Sequence, residues 1–178
     1  LRRTLPQGGA PGEDYAFIDC ASDQAVKLSE LFADGKNSLA IYSLMFAPGD
    51  DAPCPMCTSL LDGLDGQAGH INDRMNFAVA AKASTMELND WAQQRGWNNL
   101  HLISSGGNSY NVDYFAEDED GNQWSMMNVF VKDAGAAVTH SWGSELFLSP
   151  PEDGLHNRHV DQLWPLWNLF DLTPEGRG

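Results

Sequence analysis

The stretch Leu39-Ala40-Ile41-Tyr42-Ser43-Leu44-Met45-Phe46, followed after a short loop by Cys54-Pro55-Met56-Cys57, decides how this chain folds. A near-continuous apolar run of that length reads as a strand buried on both faces of a sheet. Pro48, Gly49 and Pro53 exclude regular structure between the run and the cysteines. Beyond them, Cys57, Leu60, Leu61, Leu64, Ala68 and Ile71 recur at helical spacing and form one apolar face. Gly63, Gly66 and Gly69 each weaken such a helix by about 1 kcal/mol relative to Ala, so packing holds it, or it bends or ends near Gly66. A strand that feeds a Cys-x-x-Cys at the mouth of a helix places two sulfurs on one turn, as disulfide exchange requires.

The flanking sequence extends the pattern. Residues 1–14 are rich in Gly and Pro and read as an arm, and residues 15–178 as one domain. Within it, residues 15–19 are a short strand and residues 26–32 a helical turn. Residues 76–81 are a second buried strand. Ser84 or Thr85 caps a helix with Glu87 in its first turn, Met86, Leu88, Trp91 and Ala92 on its apolar side, and Gly96 as its stop. Residues 100–104 are a third short strand. Residues 105–123, with Gly106-Gly107 and the acidic run at 117–120, read as an exposed insertion. Residues 124–132 and 136–142 form a hairpin around Asp133-Ala134-Gly135, with His140 and Trp142 facing the same side. An aromatic C-terminal segment, residues 150–178, carries Trp164, Trp167 and Phe170. The order predicts an α/β three-layer sandwich with a mixed central sheet.

Bulk composition narrows the function. The 178 residues carry 25 Asp and Glu against 10 Lys and Arg, a net charge of −15. Such a surface repels phosphate backbones and anionic lipid heads, so nucleic-acid and membrane partners are not expected. No apolar run has membrane-spanning length. The N-terminal residues lack the apolar core of a signal peptide. Three cysteines, two of them in one tight motif, suit a reducing, cytoplasmic compartment better than a disulfide-stapled scaffold.

The chain resembles a family of predicted dithiol–disulfide oxidoreductases with a thioredoxin-like fold and no established function. The resemblance is carried by Met45-Phe46 with Pro48, by Cys54-Pro55-Met56-Cys57 with Asp62 and Asp65-Gly66, and by Asp73-Arg74, Gly96-Trp97 and Ser104-Ser105. Asn111 with Asp113, and Asp171-Leu172-Thr173-Pro174-Glu175-Gly176-Arg177, complete it. It implies a thioredoxin-like fold and thiol–disulfide activity, and names no substrate. Thioredoxins proper place a proline before the strand facing the dithiol, whereas Trp124-Ser125-Met126-Met127-Asn128 has none.

In this reading Cys54, at the helix start, attacks and Cys57 resolves; Pro55 suits the first helical position. Pro55, Met56 and Met127 are the expected substrate contacts. The helix N-terminus favours the Cys54 thiolate by roughly 0.3–1 kcal/mol. An exposed Asp50 or Asp51 about 8 Å away opposes it by about 0.5 kcal/mol, which predicts a modestly acidic thiol. The expected reaction is thiol–disulfide exchange with a disulfide substrate or a reductase, without metal or organic cofactor. A thiol peroxidase ranks lower: peroxiredoxins carry Thr or Ser three residues before the attacking Cys, and here Asp51 stands there. A non-catalytic binding module, using the aromatic tail, is the alternative of another class. That tail is also the candidate homodimer surface. A zinc site would need Cys20 and His70 beside the pair, without finger-like spacing. His156 and His159 read as a surface pair, Arg74 as a solvent-facing helix end, and Cys20 as a small buried residue.

Overall fold

The computed structural model describes residues 8–144, 165–170 and 172–174. The chain forms two compact units, residues 1–143 and 144–178. In the first, seven strands make one mixed sheet. β1 (Ala16–Asp19) and β2 (Ala25–Lys27) precede one 3₁₀ turn at Leu28–Glu30. β3 (Ser38–Ser43) leads to α1 (Pro55–Asp65) and α2 (Ala68–Asn72). β4 (Asn76–Ala81), α3 (Thr85–Arg95) and β5 (Leu102–Ser104) follow. α4 (Tyr110–Asp113), β6 (Met126–Lys132) and β7 (Val138–Gly143) complete the unit. The strand order is β2-β1-β5-β4-β3-β6-β7. β3, β4 and β5 are parallel neighbours, while β6 runs antiparallel to β3, and β1 to β5. In the second unit, α5 (Pro165–Phe170) is the described helix. No helix among the described residues is long and apolar enough to cross a membrane.

Both faces of the sheet are buried. Leu39, Ile41, Ala78, Ala80, Ile103 and Phe130 join Tyr15, Phe17, Leu28, Tyr110 and Tyr114 in one core cluster. The alternate residues Ala40, Tyr42, Val79, Ala81 and Leu102 are buried on the other face. Two right-handed crossovers in the same direction put α1 and α3 on that second face. The result is the expected three-layer α/β arrangement.

Local chemistry explains the helix limits. Pro55 starts α1, where its missing N–H would have no partner anyway. The helix ends at Asp65, and α2 begins three residues on, so the glycine-weakened segment breaks at Gly66. Ser84 and Glu87 form a reciprocal capping box on α3, and Gly96 stops that helix in the left-handed region at φ 73°.

Four sequence expectations are corrected. The helical turn expected over residues 26–32 is confined to Leu28–Glu30, and Val26 belongs to β2, pairing with Phe17. Met86 lies off the apolar face of α3, 69% exposed. A register shift between Val129 and Phe130 sets Trp142 opposite Val129 and His140 opposite Phe130, so the bulge separates two side chains expected on one side. The largest correction concerns residues 105–123. Their polar composition hides a core: Tyr110, Asn111, Tyr114 and Ala116 are buried. Tyr110 and Tyr114 pack on each other and on Tyr15 and Phe130, with ring centroids 4.9–6.4 Å apart. Two tyrosines one helical turn apart bury their rings on the sheet while Val112 and Asp113 between them face water.

Candidate active site

β3 delivers the chain to the loop before the cysteines, and that loop is pinned at several points. Leu44 N–H donates to Ala80 O, Ala83 N–H to Phe46 O, and Cys54 N–H to Met45 O at 3.0 Å. Gly49, at φ 83°, donates its N–H to Glu87 Oε1 at 2.8 Å, so the carboxylate that closes the α3 capping box also fixes the loop. Asp50 turns inward on its own segment and accepts from Ala47 N–H at 2.9 Å. Cys54 is the N-cap of α1. Its carbonyl accepts from Thr58 N–H and from Thr58 Oγ1 at 3.0 and 3.1 Å.

The two sulfurs meet as a hydrogen-bonded pair. Cys54 is half-buried, whereas Cys57 is 2% exposed and lies beneath it. The Cys57 thiol donates to the Cys54 sulfur. That bond, against burial and with help from the N–H groups of Cys57 and Met56, pulls the Cys54 thiol from its ordinary 9.0 to about 6. Two N–H groups of the first helical turn thus contribute directly at its sulfur. The same bond to Cys54, together with burial, pushes the Cys57 thiol far up. Donors from the Tyr42 hydroxyl and Met45 N–H to its sulfur work the other way. Both cysteines are free thiols.

Pro55 and Met56 lie at the surface beside Cys54, Met56 being 45% exposed. Met127 is buried opposite Tyr42 in the β3–β6 ladder, on the dithiol side of the sheet but away from solvent. Sequence reasoning missed Tyr42. The signal was there: it is the phenol inside an apolar strand run, and a buried hydroxyl needs a partner. Burial first, and then the charge and hydrogen bond of Cys57, push the titration of its hydroxyl well above the ordinary range.

Other residues singled out by sequence serve as fasteners. Asp62 accepts from Arg95 and, at 2.8 Å, from Trp97 Nε1, tying α1 to the end of α3. Asp65 accepts from Asn99 N–H at 2.8 Å. Ser104 Oγ donates to Ala83 O at 2.6 Å, and Ser105 Oγ to Asn111 Oδ1 at 2.7 Å. Asp113 accepts from Tyr15 OH at 2.8 Å. Cys20 is buried, and burial followed by the charges of Asp19 and Asp23 pushes its thiol up to about 12. Arg74 and His70 are exposed. Among the described residues no three His, Cys, Asp or Glu side chains converge as a metal-ligand set. His156, His159 and most of the aromatic segment 150–178, including the candidate dimer surface, lie outside the described residues.

A cleft of about 560 Å³ lies between the arm and the tyrosine cluster, lined in part by Gly9, Tyr15, Asp113, Tyr114 and His140. Neither Cys54 nor Cys57 is among its described lining residues.

A mixed sheet with a Cys-x-x-Cys at the start of the helix after its central strand defines a thioredoxin-fold protein. Residues 1–178 match a family described as "Bacterial protein of unknown function (DUF899)", and the chain belongs to that family. Solved structures share the fold. Peroxidoxin BcpB from Mycobacterium tuberculosis aligns over 89% of this chain and 94% of its own, with 13% identity and a TM-score of 0.59. The C84S mutant of peroxiredoxin Q from Xanthomonas campestris aligns over 93% and 97%, with 11% identity and a TM-score of 0.58. The pneumococcal exposed lipoprotein thioredoxin Etrx1 from Streptococcus pneumoniae aligns over 84% and 96%, with 13% identity and a TM-score of 0.51. At these identities the likeness concerns the fold. No curated protein matches in sequence.

Proposed function

We propose that the protein is a thiol–disulfide oxidoreductase that works through Cys54 and Cys57. The observation that carries this reading is the half-buried Cys54 sulfur, accepting hydrogen bonds from the Cys57 thiol and two N–H groups at a helix start. A thiol held near 6 is mostly thiolate at neutral pH, and the thiolate is the attacking species. The Cys54 anion attacks one sulfur of a substrate disulfide, forms a mixed disulfide and releases the other substrate sulfur as thiolate. Cys57 then attacks Cys54, joins the two cysteines and releases the second substrate thiol. An external thiol or a reductase returns the pair to the dithiol.

The test is equilibration of the reduced protein against a series of reduced and oxidised glutathione mixtures, followed by mass analysis. An internal Cys54–Cys57 disulfide, and glutathione- or insulin-linked turnover that disappears in Cys54→Ser, are expected. Wild type that forms no internal disulfide and turns over no disulfide would point to a binding module instead. Peroxide consumption is the companion measurement, because two of the similar folds are named as peroxidoxin and peroxiredoxin. Asp51, exposed three residues before Cys54, places a negative charge where a peroxide oxygen would need a donor, so slow peroxide turnover is expected.

A further inference from the structure

We infer that Tyr42 is a positioning residue for the second half of the exchange: its hydroxyl holds negative charge on the Cys57 sulfur while that sulfur attacks Cys54. The inference rests on the dithiol reading above.

Cys54 N–H donates to Met45 O at 3.0 Å, which seats the first turn of α1 against the end of β3, three residues beyond Tyr42. Tyr42 is 1% exposed and lies on β3, paired with Val79 of β4 on one edge and Met127 of β6 on the other. Its hydroxyl donates to the Cys57 sulfur and accepts from Ser125, while Met45 N–H donates to the same sulfur. Hydrogen bonds thus run in one direction, from Ser125 through Tyr42 and Cys57 to the Cys54 anion.

The need for this donor changes during the reaction. In the dithiol, Cys54 carries the charge and Cys57 keeps its proton by donating to it. Once Cys54 is joined to a substrate sulfur, that acceptor and its charge are gone. Cys57 must then give up its proton, which goes to the departing thiolate or to buffer. It forms the Cys54–Cys57 bond as the Cys54–substrate bond breaks, and the electron pair leaves on the substrate sulfur. At 2% exposure Cys57 has almost no water to stabilise its anion. Tyr42 O–H and Met45 N–H are the donors already aimed at it, and a buried anion depends on such donors.

Tyr42→Phe keeps the ring in the core and removes the hydroxyl. Stopped-flow reaction with a small aromatic disulfide, such as a dithiobis-nitrobenzoate, releases one aromatic thiolate when Cys54 attacks and a second when Cys57 resolves. In Tyr42→Phe the first release is expected within about threefold of wild type. The second should slow about 10- to 100-fold, the rate equivalent of one hydrogen bond to a charged group, and its pH midpoint should rise. Phases of equal rate and equal pH midpoint in Tyr42→Phe and wild type would overturn the inference and leave the exchange reading standing. Equal slowing of both phases would overturn it too, by showing general damage to the site. Absence of both releases in wild type would instead remove the exchange reading itself.

Discussion

Replacing Cys57 by Ala tests the cause assigned to the acidity of Cys54. The variant removes the thiol donor but keeps the N–H groups at positions 56 and 57, so part of the lowering survives. A hydrogen bond to a charged group contributes about 1.5–3 kcal/mol, which moves a midpoint of about 6 to between about 7 and 8, short of the ordinary 9.0. Taking about 7.5, the thiolate fraction at about pH 5.5 falls from about a quarter to about 1%. The more basic thiolate is also the better nucleophile, and a Brønsted slope of about 0.4–0.5 makes each one react about fivefold faster. The two effects oppose each other. Attack on a small aromatic disulfide should be about fivefold slower than wild type near pH 5.5, about equal near pH 7, and about fivefold faster near pH 9. A single measurement at neutral pH would miss the change; the whole profile is needed. Superimposable profiles, or a wild-type midpoint above about 8, would refute the reasoning.

Further predictions concern the frame around the site. In Asp62→Ala, Trp97 loses the acceptor of its indole N–H; with a half-exposed ion pair adding little, the cost should be about 1–2 kcal/mol by urea unfolding followed through tryptophan emission. Burial works to raise the Asp62 carboxyl, and the donors Arg95 and Trp97 outweigh it and hold it below its ordinary value. Its stabilising contribution is therefore present above the ordinary carboxylate range and fades as pH falls through the lowered value, so the gap between wild type and Asp62→Ala should narrow in acid. Ser84→Ala breaks the α3 capping box and should cost about 1 kcal/mol in chemical denaturation. Tyr110→Ala should cost on the order of 3–5 kcal/mol by the same measurement; a cost under about 1 kcal/mol would mean that residues 105–123 are an appendage after all.

The parts of the fold readable from sequence were those where one periodicity dominated. Residues 76–81, uniformly apolar but for Asn76, are the observed β4, and the Ser84–Glu87 pair and Gly96 mark the limits of α3. Residues 105–123 were opaque because their core contribution comes chiefly from two tyrosines in a mostly polar stretch, and composition averages that signal away. The bulge at Ser141 was opaque because it depends on the register of two strands, which local pattern does not encode. At the site, the two cysteines at the start of a helix were legible from spacing. The balance of forces on Cys54 was not, since it depends on which donors reach its sulfur. Tyr42 looked like one more apolar residue in a buried strand, because the place of its hydroxyl beside Cys57 depends on how α1 packs on β3.

β3 is laddered on both edges along its length, to β4 and to β6. A strand so held opens only with the sheet itself, so under the proposed exchange the floor of the dithiol would stay still while the sulfurs join and part. The first turn of α1 lies outside the sheet and meets solvent at Met56. Under the proposed exchange, a protein that tells the oxidised from the reduced form would be expected to sense that turn, where the dithiol side of the unit meets water.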